Sequence, residues 1–422
     1  MQTKESHTQE LRNMVGEDNV REATEMDAID EVRPSLVVEP GGTEEISDIL
    51  KFARNEGLAV SPRGGGTKMG WGNVPKSVDI ILSTARMNEV IEHVPGDQIV
   101  RVQAGAKLAY VQQRLFRSNQ MLALDPPPPG ATVGGVVAAN DSGPRRYKYQ
   151  TARDLIIGIT VVLADGTVAK AGGKVVKNVA GYDLGKLFTG SLGTLGVIAE
   201  ANFRLHPLPE AARTVACEVE SPEAAREAAR AIIHSQVEAT AVELHWDENE
   251  KLVSALLESI SEGVEAKEEL ARVLLKPFGD VRSLEDDEYE HLGPFGRPSG
   301  ENGEVAVKIG AFPAELAGVI EAVEGAARRK GVKARLTGHA ATGVTFVGLS
   351  GEEENVVDVV EEMREIIVRK GGSVVVREAP ASLKKRIEVW GPAGDYFELT
   401  RRMKEKFDPS GTINPGRFLG GI

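Results

Sequence analysis

Short apolar runs and helically spaced apolar residues alternate along the first half of the chain. Ser35–Val38 is an apolar run typical of a strand, and the next segment, with Thr43 as the expected N-cap, has apolar residues three and four positions apart. Those residues are Ile46, Ile49, Leu50 and Ala53. A further run, Leu58–Val60, leads directly into the glycine-rich segment Arg63–Gly66. The pattern predicts a strand, a helix and a second strand that ends in a glycine loop.

A hairpin is predicted near the middle of the chain. Leu155–Leu163 is apolar and alternating, Asp165 and Gly166 are typical of a tight turn, and Thr167–Ala171 returns as a second strand. Since strands joined by a tight turn run antiparallel, the predicted sheet is not purely parallel.

The pattern changes after Pro207 and Pro209, where alanine-rich helices begin to alternate with short strands. This alternation is typical of an α+β sandwich domain. The predicted elements are helices at Pro222–Ser235, Pro313–Lys330 and Glu353–Lys370, and strands at Ala239–His245, Val305–Ala311, Val332–Leu336 and Val344–Leu349. The stretch Lys276–Gly303, rich in proline, glycine and acidic residues, is expected to be a long loop.

Length and charge restrict the class of protein. At 422 residues the chain exceeds what one hydrophobic core usually organises, so two domains are expected. The formal net charge of −13 disfavours electrostatic binding to nucleic acid. The start of the chain is charged throughout, and no stretch approaches the ~18 uninterrupted apolar residues of a membrane span. We expect any membrane contact to be indirect, through partners.

Cysteine usage points to a reducing compartment. Cys217 is the only cysteine, so the chain can form no internal disulfide and cannot by itself ligate an iron–sulfur cluster or a structural zinc ion. The expected location is the cytoplasm.

Three glycine-rich segments are candidates for ligand binding. In the first, Ser61–Lys68, three successive residues without Cβ atoms allow backbone N–H groups to converge on a phosphate. The segment is neither a Walker P-loop nor a G-x-G-x-x-G dinucleotide turn, which makes a nicotinamide enzyme an unfavourable interpretation. For this segment alone, a flexible turn is an equally good explanation.

The other two segments strengthen the ligand interpretation. Asp125–Gly143 combines four prolines with paired glycines and with hydroxyl and amide side chains. Gly172–Leu184 and Gly190–Ile198 place further glycine turns between apolar runs. Each segment by itself is also typical of a surface loop. Together they predict several backbone segments that line one elongated ligand.

The combination of RGGGT, GATVGGVVAANDSG and VVKNVAGYDL with GSLGTLGVI resembles the FAD-binding domain of the vanillyl-alcohol-oxidase and p-cresol-methylhydroxylase (PCMH) superfamily. Three stretches are more similar to the FAD-binding E subunits of glycolate oxidases than to the sister D subunits. They are Gly143–Gly158, Lys177–Leu184 and Val389–Phe418. The resemblance begins near Pro34 and covers nearly the whole remaining chain.

The resemblance implies an α+β fold with defined parts. A helical lead-in would occupy residues 1–29 and a PCMH-type FAD-binding domain residues 30–208. An α+β, ferredoxin-like cap domain would span residues 210–400, and residues 401–422, with Asn414–Arg417, would return to complete the flavin site.

The resemblance also implies bound FAD and its contacts. One group of residues would hold the diphosphate, a second would line the middle of the cofactor, a third would approach the flavin, and the last would meet the adenosine end. In that order they are Arg63, Gly64, Gly65, Gly66 and Thr67; Thr132, Gly134 and Gly135; Asn140, Ser142 and Gly143; and Ile198. Family members with covalently attached flavin carry histidine in an R-x-G-G-H pattern. Because Thr67 stands at that point, we expect non-covalent FAD.

A second departure concerns metal binding. The D-type dehydrogenases have a G-H-x-G-D-G-N-x-H metal motif, of which the segment Gly338–Phe346 keeps only His339. One histidine cannot form that site, so no metal is expected. His339 is then either a structural histidine or a base beside the flavin.

Catalytic residues are not identified by any local motif. Arg145 and Arg146 could clamp a substrate carboxylate, since arginine binds carboxylates through paired hydrogen bonds, or they could form a solvated basic pair. The resemblance implies oxidation of a 2-hydroxy acid such as glycolate or D-lactate, with electrons passing to an iron–sulfur subunit beside a D-type FAD subunit. The alternative is a non-catalytic, FAD-bearing relay or assembly subunit of that complex.

Overall fold

The computed structural model describes residues 2–125, 129–173, 183–285, 298 and 303–422, and the elements below lie within these ranges. Helix α1 (Gln2–Val15) packs against helix α2 (Thr43–Glu56). The apolar face expected for α2 is confirmed, because Ile46, Ile49, Leu50 and Ala53 are all buried. The expected N-cap is wrong. Gly42 occupies the cap position in an extended conformation, so Thr43 already lies in the first helical turn.

The first sheet carries the glycine loop. Its strands are β1 (Val20–Glu22), β2 (Leu36–Val38), β3 (Val60–Arg63) and β4 (Ile80–Ser83), in the order β1-β2-β4-β3. Strand β4 pairs in parallel with β2 and with β3, and α2 connects β2 to β3. The glycine loop therefore begins at the carboxyl edge of parallel strands, where ligands commonly bind in α/β proteins.

The second sheet is antiparallel. It contains β5 (Val90–Val94), β6 (Ile99–Gln103), β8 (Ile156–Val162), β9 (Val168–Gly172) and β10 (Val197–Arg204), in the order β5-β6-β10-β8-β9. A separate pair is formed by β7 (Gln120–Met121) and β11 (His206–Pro207). The predicted hairpin is confirmed in β8 and β9, whose turn uses Gly166 at φ 82°.

Short helices connect the strands of this half of the molecule. They are α3 (Leu108–Phe116), α4 (Val133–Ala139), α5 (Arg146–Tyr149), α6 (Ala152–Leu155) and α7 (Leu184–Phe188). The N-termini of α4 and α7 are capped by the side chains of Thr132 and Asp183, which satisfy backbone N–H groups that the helix itself leaves free.

The third sheet is antiparallel and larger. Its strands are β12 (Ala211–Glu218), β13 (Ala241–Trp246), β14 (Lys251–Ser259), β15 (Val281–Leu284), β16 (Val305–Gly310), β17 (Lys333–His339), β18 (Val344–Ser350) and β19 (Ser373–Glu378). They lie in the order β15-β12-β14-β13-β17-β18-β16-β19. Within the described part of the chain, four helices pack on this sheet: α8 (Pro222–Ile233), α9 (Ser261–Leu275), α10 (Leu316–Lys330) and α11 (Glu353–Arg369).

One expectation for this region is wrong in part. Strand β15 lies inside the stretch Lys276–Gly303 that the composition marked as a loop. Its four residues pair with β12, so tertiary pairing supplies the hydrogen bonds that a loop composition does not suggest. Residues 286–297 and 299–302 of the same stretch lie outside the described ranges.

The two faces of the third sheet differ in chemistry. Apolar side chains such as Val242, Leu244 and Val253 point into the core beneath the helices. Because successive residues of a strand point to opposite faces, the residues between them form the other face. That face carries buried polar side chains, among them Glu243, Ser254, Glu258, Thr337 and His339.

The C-terminal segment returns to the first sheet. After α12 (Ala381–Lys384) and α13 (Phe397–Phe407), Ile413 forms a parallel bridge with Val60 of β3. The buried Lys404 ammonium donates to the carbonyl oxygens of Thr194 and Ile413, at 2.8 Å each. The tail is thus fixed beside the glycine loop by backbone pairing and by a buried cation.

Candidate functional site

The first cavity lies against the glycine loop. Its walls come from the loop after β3, the start of α4, the segment leading into β10 and the C-terminal tail, and it encloses about 760 Å³ when its open mouth is included. It brings together residues from three separate segments that the sequence assigned to FAD. They are Arg63, Gly64, Gly65, Gly66, Thr67, Thr132, Gly134, Gly135 and Ile198.

The glycine loop offers unused backbone donors to this cavity. Within the described ranges, the N–H groups of Gly64, Gly65, Gly66 and Thr67 donate to no protein acceptor. Gly66 has φ 77°, a conformation that other residues rarely adopt, and a Cβ there would have only the Arg63 Cδ within 4 Å, at 3.9 Å. Successive free N–H groups in a concave wall fit a phosphate.

Close packing between two loops explains the other glycines. A Cβ added to Gly64 would lie 2.0 Å from the Thr132 Oγ1, and one added to Gly65 would lie 2.0 Å from the carbonyl oxygen of Gly130. The glycines therefore allow the loop after β3 to touch the loop before α4. A side chain at Gly65 would meet protein backbone rather than open space.

A carboxylate outside the cavity holds Arg63 in place. The Arg63 Nη1 donates to the Asp27 Oδ1 at 2.8 Å, and Asp27 also accepts from Arg21 at 2.7 Å. The hydrogen bond from Arg21, followed by further donors that include Arg63, keeps the pKa of the buried Asp27 far below its usual range. Asp27 is therefore ionised and fixes a cation at the cavity wall.

The C-terminal segment clamps the same loop. The Asn414 Oδ1 accepts from Ser61 at 2.6 Å, while its Nδ2 donates to the carbonyl oxygen of Leu192 at 3.0 Å. The Arg417 guanidinium donates to the carbonyl oxygen of Met69 at 2.7 Å, and burial lowers the pKa of Arg417 to about 10. Asn414 and Arg417 also line the first cavity.

The second cavity adjoins the first. Both are lined by Ala139 and Leu192, and the second encloses about 980 Å³ when its mouth is included. Its walls come from the region of α4 and α5 on one side and from β16, β18 and β19 on the other. It contains Asn140 and Ser142, which the sequence assigned to the flavin. The buried Oδ1 of Asn140 has no hydrogen-bond partner within the described part of the chain.

Together the two cavities fit FAD. The first offers backbone donors and Arg63 to a diphosphate, and the second offers a buried amide oxygen, which can accept from an N–H of a flavin ring. Their shared wall allows one elongated ligand to occupy both.

Cationic side chains line the second cavity. They are Arg146 from α5, Lys308 from β16 and Arg377 from β19. The Arg377 guanidinium stacks on the Trp71 ring, with its carbon 3.6 Å from the ring centroid. Such stacking holds a guanidinium plane in a fixed orientation.

A buried carboxylate stands beside these cations. The Asp141 carboxylate lies 3.4 Å from the Lys68 ammonium and 3.9 Å from the Arg377 guanidinium. The Trp71 Nε1 donates to the Glu378 carboxylate at 2.8 Å. The cavity wall is thus a charged network assembled from both halves of the chain.

The two arginines proposed as a clamp lie in different surroundings. Arg146 lines the second cavity, whereas the Arg145 side chain pairs with Glu258 of the third sheet at 2.8 Å. The Glu258 side chain is fully buried. Burial, together with the charge of Glu258, raises the pKa of the nearby Tyr149 to about 12. Of the pair, only Arg146 is positioned to contact a ligand in the cavity.

His339 and Gly143 do not line either cavity. The His339 Nδ1 lies 2.9 Å from the Glu243 Oε2, and both side chains are buried. His339 stacks edge-on against Phe346, a cavity residue, with ring centroids 5.5 Å apart. The Gly143 N–H donates to the Asp125 carboxylate at 3.0 Å.

Part of the sequence prediction lies outside the described residues. The segment 174–182 contains most of the third glycine motif, and residues 126–128 contain prolines of the second.

Sequence reasoning missed the cavity residues of the third sheet. Lys308, Phe346 and Arg377 stand in strands that are mainly apolar. A charged residue within such a strand was the available signal, but no short motif accompanies it.

The described ranges contain neither a candidate metal site nor a candidate membrane-spanning helix. No group of three or more His, Cys, Asp or Glu side chains there is arranged to hold a metal ion. No helix there combines the length and apolar character required to cross a bilayer.

Comparison with known proteins agrees with the geometry. The FAD binding domain family matches residues 34–172, and the C-terminal domain family of FAD linked oxidases matches residues 299–418. A D-lactate dehydrogenase of Archaeoglobus fulgidus is 32% identical over 410 residues, covering 91% of each chain. The glycolate oxidase subunit GlcD of Bacillus subtilis is 27% identical over 424 residues, covering 92% of this chain and 89% of the relative. The closer similarity to E than to D subunits stays a prediction.

Solved structures confirm the predicted α+β, PCMH-type fold. The 4-ethylphenol oxidase of Gulosibacter chungangensis superposes with a TM-score of 0.76 at 15% identity, covering 98% of this chain and 97% of the other. A p-cresol methylhydroxylase superposes with a TM-score of 0.73 at 16% identity, covering 99% and 97%. From these relatives and from the two joined cavities, we conclude that the chain belongs to the FAD-linked oxidases and is an FAD-dependent oxidoreductase.

Proposed function

We propose that the chain oxidises a 2-hydroxy acid of the glycolate or D-lactate type as a subunit of a dehydrogenase complex. The observation that carries the proposal is the set of cations, Arg146, Lys308 and Arg377, in a cavity that adjoins the cavity suited to FAD. Guanidinium and ammonium groups bind carboxylates through strong, charge-assisted hydrogen bonds. The relatives named D-lactate dehydrogenase and glycolate oxidase subunit support this substrate class.

The FAD-binding residues have separate tasks in this proposal. The N–H groups of Gly64–Thr67 and the Arg63 guanidinium hold the diphosphate, while Thr132, Gly134 and Gly135 form the wall along its middle. Ile198 lies at the adenosine end. Asn140 and Ser142 contact the flavin, and Gly143 keeps their loop in place through Asp125. Residues 30–208 thus supply most contacts, and the tail within 401–422 adds Asn414 and Arg417.

The second cavity orients the substrate. Arg377, held against Trp71, and Arg146 bind the carboxylate, so that the α-carbon lies toward the flavin-binding residues. FAD, which the residues of the first cavity would hold, would supply the hydride acceptor for this oxidation. Trp71, Phe346 and Trp390 line the same space and exclude water from it.

The hydroxyl proton requires an acceptor near the cavity. His339 is our candidate, because Glu243 holds its Nδ1 and so favours the tautomer in which the Nε2 accepts a proton. It contacts Phe346 but does not itself line the cavity, so the transfer would pass through an intervening water.

Anaerobic bleaching of bound FAD tests this function. The purified, FAD-loaded protein is mixed with glycolate or with racemic lactate, and the absorbance of the flavin is followed. Bleaching by at least one acid is expected. A flavin that no acid reduces, but that a chemical reductant or a reduced partner subunit reduces readily, would instead identify the chain as the non-catalytic relay.

We also propose an iron–sulfur subunit and a D-type FAD subunit as partners. Electrons taken in pairs by flavin need a one-electron carrier to leave the complex, and the chain has only Cys217. That cysteine is buried, and burial raises the pKa of its thiol to about 11, which disfavours metal ligation. Affinity purification from native cells with iron analysis of the eluate tests the partnership. An iron-free homomer that turns over with oxygen alone contradicts it.

A further inference from the structure

The floor of the second cavity is a small part of the third sheet. In β18, β16 and β19, Phe346, Lys308 and Val375 stand side by side in one row of the register. The next row contains Val344, Gly310 and Ser373. These residues point to the same face of the sheet and line the cavity. Lys308 therefore stands between two apolar side chains, and Gly310, in the next row, leaves a position without a side chain.

Gly310 creates a hollow in this floor. A Cβ added there would have only the Ser373 Oγ within 4 Å, at 3.0 Å, so the space above the strand is open. Gly310 has no positive φ, and its backbone conformation therefore does not require glycine. The role of this glycine is therefore to leave space in the cavity floor, not to permit an unusual backbone conformation.

The side chains around the hollow are apolar except for Ser373 and, one row away, Lys308. Val344 is a cross-strand neighbour of Gly310, Phe346 and Val375 stand in the adjacent row on the same face, and Trp390 lines the same cavity. Lys308, two positions before Gly310, and Arg377 place positive charge at its margin. An anion held at that margin would direct its own substituent over Gly310 against apolar side chains.

We propose that the substrate is a 2-hydroxy acid with a branched or aromatic side chain, and that Gly310 determines this specificity. The inference rests on the proposed function, because it takes the cations as the carboxylate site. Glycolate has no substituent to fill the hollow, and the methyl group of lactate fills little of it. Each apolar group that enters such a pocket improves kcat/KM by about tenfold or more.

A substrate panel with two variants tests the proposal. For the wild-type holoprotein, kcat/KM for racemic 2-hydroxyisocaproate or 3-phenyllactate is expected to exceed that for glycolate by roughly tenfold to hundredfold. Gly310→Val should lower kcat/KM for the large acids by about tenfold or more and leave glycolate nearly unchanged. Gly310→Ala combined with Ser373→Ala, which removes the one close atom, should give a smaller shift in the same direction.

Binding of unreactive acids gives an independent measurement. The dissociation constant of 3-phenylpropionate, from its perturbation of the flavin spectrum, should be lower than that of acetate, and Gly310→Val should remove the difference. Glycolate or lactate as the preferred substrate would overturn the inference while leaving the proposed function intact. Equal losses for small and large acids in the variants would also overturn it. If no 2-hydroxy acid reduces the flavin, the proposed function itself fails.

Discussion

The first cavity is lined mainly by backbone and small side chains from the glycine-rich half of the chain and its tail. The second combines small residues with long side chains, such as Arg146, Lys308 and Arg377, which come from that half and from the third sheet. The first therefore depends on local sequence, since glycine and threonine at set positions shape it. The second depends on how two sheets are placed against each other. A cavity formed mainly by consecutive residues can be recognised from a sequence motif. A cavity formed by side chains that are far apart in the sequence cannot.

The largest effect is expected from the contact between Arg145 and Glu258, because Arg145 is adjacent to a residue of the second cavity but lines neither cavity. Arg145→Met should destabilise the protein by about 3 kcal/mol, because the fully buried Glu258 carboxylate loses its charged partner. It should also raise KM by displacing the adjacent Arg146, while bound FAD per folded protein stays near one. Denaturant unfolding and steady-state kinetics measure the two effects.

A second replacement controls this experiment. Arg145→Met with Glu258→Leu removes both charges and should recover most of the stability. If the double variant is no more stable than Arg145→Met, the ion pair does not explain the loss.

Gly65→Val should damage the first cavity selectively. The added side chain meets the Gly130 carbonyl oxygen, and overpacking of this kind costs up to about 3 kcal/mol, or a roughly hundredfold weaker affinity for FAD. Flavin absorbance per folded protein measures it. Gly70→Val is the matched control, since a Cβ at Gly70 has nothing within 4 Å. Full flavin content in a folded Gly65→Val protein would show that the two loops can move apart.

Arg377→Met should damage the second cavity selectively. Loss of a charged hydrogen-bond donor costs about 2 kcal/mol, so KM for the hydroxy acid should rise roughly thirtyfold while FAD content is unchanged. The exposed Arg402, changed to Met, serves as the control. A fall in kcat with unaltered KM would place Arg377 outside the carboxylate site.

Asp27→Asn should have the smallest effect, and its size should depend on pH. The pKa of Asp27 lies far below its usual 3.8 because Arg21 and other donors bind the carboxylate. A lowered pKa stabilises the folded state fully above about pH 4, and this stabilisation is lost as the pH falls. We therefore expect a loss of about 1 kcal/mol at pH 7 that shrinks below pH 4. Unfolding curves of wild type and variant at pH 7 and below pH 4 measure this loss. A difference in stability that does not change with pH contradicts the prediction.

Covalent attachment of FAD can be checked on the unmodified protein. Because Thr67 stands in the loop position at which family members with attached flavin have histidine, acid precipitation should release the FAD into the supernatant. Yellow colour that stays with the pellet contradicts the prediction.

Several elements could be predicted because their signals are local. The buried face of α2 and the hairpin of β8 and β9 follow from side-chain periodicity and from a turn dipeptide. The N-cap of α2 was misplaced by one residue, since Gly42 and Thr43 both suit a helix start. Strand β15 was missed because its pairing with β12 joins segments more than sixty residues apart.

The sequence by itself determined the glycine-rich loops, the family resemblance and the alternation of helices and strands, since each depends on neighbouring residues. Only the tertiary structure decided that Arg146 lines a cavity with Lys308 and Arg377, while Arg145 pairs with Glu258. Adjacent residues on a short helix point in different directions, so their environments depend on what packs on each side. The row of Phe346, Lys308 and Val375, with the hollow at Gly310, likewise exists only through the register of three strands.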